Sequence, residues 1–206
     1  MFRFFNNVGI IETTLSPQVI TKLNTCIENP YRKKNNRLAG NISKSFELQD
    51  KNDWFFNTVL NPLIKDYMEH YTSNATVPLV LADKASYTLN QLWVNFQKKY
   101  EFNPIHSHAG VFSFVIWLKI PSSYKKECKL PFVKDANTKC PNTFQMLFIN
   151  SLGKISQLDY NLEPEDEGKM LFFSSQYNHC VYPFYLSDEE RISVSGNISL
   201  TTKIKK

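Results

Sequence analysis

From about residue 85 onward the chain breaks into short runs of β-type residues divided by turn signals. That rhythm constrains the fold more than any other feature. The runs are 87–98, 106–120, 144–150, 154–160, 169–173, 180–185 and 191–203. Pro121-Ser122, Ser151-Leu152-Gly153 and the acidic stretch 163–168 stand between them. Seven or eight short strands behind a helical segment predict a β-barrel or a sandwich.

The first 85 residues predict a supporting layer. A strand candidate covers 2–11. Ser16 then stands where an N-cap belongs, with Pro17 at the first helical position. Val19, Ile20, Leu23 and Cys26 follow at helical spacing to about Glu28. Residues 31–48 are polar and weakly patterned and read as loop. A second helical pattern over 51–71 carries Trp54, Phe55, Val59, Leu60, Ile64, Tyr67 and Met68 on one broad face. Pro62 interrupts it and predicts a kink or two short helices. No repeat or linker calls for a second domain, so the expectation is a single domain over 1–206. Its first part, 1–85, is the strand and supporting helices; 86–203 is the β core, with an exposed loop insertion at 121–143 that could serve as a lid.

Sixteen phenylalanines and ten tyrosines supply ample area for a core, which excludes a disordered tail. The net charge of +5 is spread over Arg32-Lys33-Lys34, Lys125-Lys126 and the C-terminal lysines. A nucleic-acid binder would gather such residues in one stripe, so nucleic acid is disfavoured as a partner. Cys26, Cys128, Cys140 and Cys180 fit no C-x-x-C spacing, which disfavours a zinc finger. Cys128 and Cys140 could pair in an oxidising compartment; four reduced thiols are the simpler expectation. No apolar run is long enough for a signal peptide core or a membrane span, so a cytoplasmic protein without a membrane partner is expected.

Histidine occurs only four times, and two copies, His106 and His108, flank Ser107. In a strand, residues i and i+2 share a face, so the pair would emerge together with Ser107 opposite. His179, at the start of the 180–185 run, could come in from a distant strand to complete a mononuclear metal site. In the last run Arg191, Ser193, Ser195 and Asn197 alternate with apolar residues. An enclosed face carrying an arginine and a serine suits an anionic partner such as a carboxylate. Trp93, Asn95 and Gln97 alternate in the same way. His70 reads as a surface residue at a helix end.

The ordered set of motifs resembles a known family. The pieces are Trp93-Val94-Asn95; Asn103-Pro104-Ile105-His106-Ser107-His108-Ala109-Gly110 ahead of an apolar strand; Pro164 to Gly168; the run from Phe173 to His179, Val181 and Pro183; and Arg191-Ile192-Ser193-Val194-Ser195-Gly196-Asn197. Together they resemble the iron(II)- and 2-oxoglutarate-dependent oxygenases, especially the small members of marine bacteria and cyanophages. The resemblance covers roughly residues 86–200.

It implies a mainly β fold with flanking helices around a double-stranded β-helix, the jelly-roll or cupin-like core. It implies Fe(II), 2-oxoglutarate and O2 as cofactors, with His106 and His179 as metal ligands. Arg191 and Ser193 would bind the far carboxylate of 2-oxoglutarate, with Asn95 beside them. His108 stands where most members carry Asp or Glu. It is either the third ligand or a side chain turned toward substrate, with water or another group completing the site; Asp83 and Asp159 are carboxylates without a place. Trp93, Phe114 and Tyr177 would line the mouth, or belong to the core. The implied reaction hydroxylates a C–H bond and releases succinate and CO2. Its substrate is open: a peptide, an amino acid, a nucleobase or a metabolite. A cytoplasmic place, bacterial or in a phage host, and a homodimer are compatible with it. Two alternatives stand beside it: a three-histidine cupin-type metalloenzyme that does not use 2-oxoglutarate, and a non-enzymatic β-sandwich structural or binding protein.

Overall fold

The computed structural model describes residues 9–33, 39–71 and 85–202. Two antiparallel sheets face each other. The larger has seven strands in the order β1 (Ile10–Thr14), β9 (Lys169–Ser174), β6 (Phe112–Lys119), β11 (Arg191–Thr202), β4 (Ala85–Gln97), β3 (Lys44–Glu47) and β2 (Arg32–Lys33). The smaller has four: β5 (Asn103–His106), β10 (Asn178–Val181), β7 (Thr143–Ile149) and β8 (Ile155–Asn161). This is the expected jelly-roll core with flanking helices.

The larger sheet is covered on both faces, which explains why β6 and β9 read as nearly unbroken apolar runs. Phe112, Phe114, Ile116, Met170, Phe172, Leu92, Val94, Val194 and Ile198 face the helical layer. There they meet Leu23 of α1 (Pro17–Glu28), Ile64 and Tyr67 of α2 (Asn61–Tyr71), and Phe55, Val59 and Leu60 just before it. Val115, Trp117, Leu171 and Phe173 turn the other way and pack on Phe144 and Met146 of the smaller sheet. Among the described residues no helix is long and apolar enough to cross a membrane.

Local signals explain most boundaries. Ser16 Oγ accepts from the Val19 N–H, with Pro17 opening α1. Before Pro62 the helix widens into a π-helical stretch, Phe56–Leu60, and the Asn61 N–H reaches back to the Phe56 carbonyl. This absorbs the proline, which cannot donate, without splitting the segment. Strand β10 ends at Val181, before Pro183, so His179 lies inside the strand rather than at its entrance.

Several expectations differ from the structure. The 106–120 run is two strands, β5 and β6, belonging to different sheets, joined by an irregular crossover at 107–111. Gly110 makes the corner at φ +108°, where a Cβ would meet the Ile198 carbonyl oxygen at 2.6 Å. Residues 31–48, read as loop, contribute β2 and β3; four residues with one large apolar side chain, Phe46, are too few to show a period. Of the strand expected over 2–11, Ile10 and Ile11 belong to β1, which runs on to Thr14, and positions 2–8 lie outside the described residues. Segment 121–143 carries a short helix, α3 (Tyr124–Glu127), and buries Ser122, Glu127, Val133 and Asn142, so it is anchored in the interior rather than standing free.

Candidate metal centre

His106 and His179 are directly opposed in the β5–β10 register, which sets their rings side by side with centroids 4.3 Å apart. His108 arrives by the crossover. Its backbone N–H donates to the Ser175 carbonyl at 2.9 Å, and its ring centroid lies 4.9 Å from that of His106 and 5.0 Å from that of His179. Ser175 Oγ also donates to the Gly110 carbonyl, so one residue ties down both ends of the corner. Strand parity is therefore not what pairs His106 with His108. Ser107, expected on the opposite face, lines the same cavity.

The three rings offer one ligand atom each, all within 4.8 Å of one another. Two nitrogens held by one ion at about 2.1 Å stand no more than about 4.2 Å apart, so a small side-chain adjustment closes the set. His106 Nδ1 donates to the Pro104 carbonyl at 2.7 Å and His179 Nδ1 to the Tyr177 carbonyl at 3.0 Å. A carbonyl can only accept, so each proton sits on Nδ1 and each Nε2 lone pair is bare. Outer hydrogen bonds of this kind orient imidazole ligands in metal sites. Burial pushes His106 below the usual histidine range. It pushes His179 down to about 3, with His106 and His108 adding repulsion. Both are neutral near pH 7, the form a cation requires. Phe144 stacks on His179 at 5.4 Å and Phe173 meets it edge-on, so this ligand sits against an apolar wall. The donor set fits a first-row transition metal. Within the described residues this cluster contains no carboxylate. Asp159 accepts from Gln145 and Gln157 outside the cavity, and Asp83 lies outside the described residues.

A cavity of about 300 Å³ opens over the histidines. Trp93, Asn95, Phe114 and Ser193 are among its lining residues, with Ser195 and Asn197. Tyr177 is not; its hydroxyl accepts from the Gly9 N–H and its ring packs on the inter-sheet core. Asn95 Oδ1 accepts from Ser45 Oγ at 2.7 Å. Among the described residues, no side chain of 121–143 and no charged side chain lines the cavity.

Arg191 is 1 % exposed and also lies outside the lining. Its Nε and one terminal nitrogen donate to Gln97 Oε1 at 3.2 and 2.8 Å. The remaining donations go to Asn142 Oδ1 and the Tyr182 carbonyl, each at 3.0 Å. Burial draws the guanidinium down to about 9, opposed by the field of Glu127. Glu127 and Asn142 were not picked out in the sequence. Both sit in a lysine-rich, proline-bounded stretch that looks like a solvated loop, and no local pattern marks them as buried.

A family model described as "Putative 2OG-Fe(II) oxygenase" matches residues 91–197. No curated protein matches the sequence. Among solved structures, a prolyl-4-hydroxylase of Pseudomonas putida is similar at 12% identity and TM-score 0.52, covering 93% of this chain and 92% of that one. The viral collagen prolyl hydroxylase vCPH of Paramecium bursaria Chlorella virus-1, in complex with 2OG, is similar at 10% identity and TM-score 0.51, covering 92% and 94%. An oxidoreductase of the 2OG-Fe(II) oxygenase family from Burkholderia pseudomallei gives 14% and 0.50, covering 93% and 85%. At such identities these structures speak for the fold.

Proposed function

Because the chain belongs to the 2OG-Fe(II) oxygenase family, we propose that it is an iron-dependent oxygenase whose ion is held by His106, His108 and His179. The observation that carries this reading is the convergence of three imidazoles at the floor of a cavity, two of them with the tautomer fixed for binding through Nε2.

In the first form of the reading the cosubstrate is 2-oxoglutarate. Ferrous iron with O2 and 2-oxoglutarate would supply the oxidising chemistry that hydroxylates a substrate C–H bond and yields succinate and CO2. The chain's own share is to position and to exclude water. Ser193 lines the cavity and Arg191 lies two residues before it on β11, the only arginine in the buried interior among the described residues. These two would hold the far carboxylate, with Asn95 beside them, while Phe144 and Phe173 keep the ligand face dry. Trp93 would contact the substrate, whereas the ring of Phe114 packs on Phe55 in the helical-layer core.

A second form, a three-histidine metalloenzyme that does not use 2-oxoglutarate, is favoured by two observations. The donor set lacks a carboxylate. The Arg191 guanidinium already donates to Gln97, Asn142 and Tyr182, away from the cavity lining. The narrower likeness to small marine bacterial and cyanophage members rests on histidine at position 108, and it belongs to the same proposal, as does a cytoplasmic place of work.

Anaerobic Fe(II) titration with and without 2-oxoglutarate separates the forms. A metal-to-ligand charge-transfer band that needs 2-oxoglutarate supports the first. Tight Fe(II) binding without the band supports the second. Fe(II) binding that is undiminished in His179→Ala defeats the ligand assignment in both.

A further inference from the structure

Only two formally charged side chains are fully buried among the described residues, Arg191 and Glu127, and they are of opposite sign. Removing an ion from water is costly unless an opposite charge and hydrogen bonds compensate it. The hydrogen bonds of Arg191 all go to neutral oxygens, and the ring of Phe184 lies 5.3 Å from the guanidinium carbon. Glu127 Oε1 accepts from Ser122 Oγ and from the backbone N–H groups of Tyr185 and Leu186, while Oε2 has no hydrogen-bond partner.

Two routes join the pair. Asn142 accepts from Arg191 and donates to the Ser122 carbonyl at 2.7 Å, and the hydroxyl of Ser122 donates to Glu127. The loop 182–186 is held at one end by Arg191 through the Tyr182 carbonyl and at the other by Glu127 through two amides. No ion-pair contact closes the gap. The two buried charges therefore act on each other by field rather than by touch.

We propose that Glu127 is the built-in counter-ion of Arg191, and that it thereby limits how strongly Arg191 can hold an incoming carboxylate. Three neutral imidazoles leave a divalent ion without the negative ligand that a carboxylate would provide. With a dicarboxylate bound, ion and ligand cancel, the charge of Arg191 is left over, and Glu127 balances it from the 121–143 segment. Glu127 is a positioning residue: it acts on the site through Arg191. The carboxylate-binding arm of this inference rests on the 2-oxoglutarate reading; the pairing of the two charges does not.

A double-mutant cycle in the metal-free protein tests the pairing, using Glu127→Gln, Arg191→Gln and both together, read by urea unfolding. Each single variant is expected to lose stability, and the double variant to lose clearly less than their sum. Additive losses overturn the proposal. If Glu127→Gln alone does not fold, a double variant that does fold supports the pairing, and one that does not overturns it. Titration of the Mn(II)-loaded protein with 2-oxoglutarate tests the consequence. Glu127→Gln is expected to bind roughly tenfold more tightly than wild type, since one competing charge is gone. A merely structural role would weaken binding, and unchanged or weaker binding overturns the proposal. If wild type itself binds no 2-oxoglutarate, the 2-oxoglutarate reading falls, and the metal-free cycle still decides the pairing.

Discussion

Histidine 179 is both the most buried ligand and the one most changed by its surroundings. Its imidazole resists protonation down to about 3, first because it is buried and then because two other histidines face it. An unfolded chain protonates the same ring near 6.5. Between those values the unfolded state binds the extra proton, so stability rises with pH there. The contribution is fully present above about 6.5 and is lost as pH falls toward 3. We therefore expect the metal-free protein to lose about 2 kcal/mol between pH 7 and pH 5 from this residue. The drop should show as a lower urea midpoint, and His179→Gln should flatten it. A midpoint equally pH-dependent in that variant would mean that other groups carry the effect. None of this could be read from the sequence, where His179 is one histidine beside a cysteine. Its burial comes from Phe144 and Phe173, on strands far away in the chain.

At the level of elements, the pairing of histidines was legible, though for the wrong reason. Alternation along a single strand would place His106 and His108 on one face and Ser107 on the other. The chain instead leaves the smaller sheet after His106 and enters the larger one at Phe112, with Ser107 and both histidines lining one cavity. Period-two reasoning works along a long strand between its irregularities, as in β4 and β11, where Trp93 and Asn95, and Ser193, Ser195 and Asn197, share the cavity side. It fails at a corner, because hydrogen bonds from another strand shape the backbone there. The same limit hid β3, where Ser45 is buried beneath Asn95 although nothing nearby in sequence announces it. The corner itself can be tested. In Gly110→Ala a side chain must take up φ +108° and press on the Ile198 carbonyl, and Ile198 lies in the central β11. We expect a loss of about 2 kcal/mol or more. Because the corner also aims His108, we expect the Zn(II) dissociation constant to rise roughly tenfold. Ser175→Ala removes the tether on the Gly110 carbonyl and should move both quantities the same way, by about 1 kcal/mol in stability. A Gly110→Ala protein with unchanged Zn(II) affinity would show that the corner does not position His108.

Across the whole molecule, the three ligands come from places that fold together only when both sheets are assembled. His106 and His179 belong to the smaller sheet, and His108 belongs to the chain passing into the larger one. The larger sheet is in turn buried under α1 and α2. An ion that binds the folded chain and not the unfolded one stabilises it by mass action, by about 2.7 kcal/mol at one hundred times the dissociation constant. In a chain of this size that corresponds to a rise in Tm of about 5–10 °C. Because the helices share a core with the sheet that receives His108, the helical signal at 222 nm and the fluorescence of the buried Trp117 should shift together. A chelator should reverse both, and His179→Ala should abolish both. Trp117 fluorescence that shifts while the helical signal stays in place would mean that the helical layer melts independently. The metal would then hold the two sheets to each other without holding the molecule as one cooperative unit.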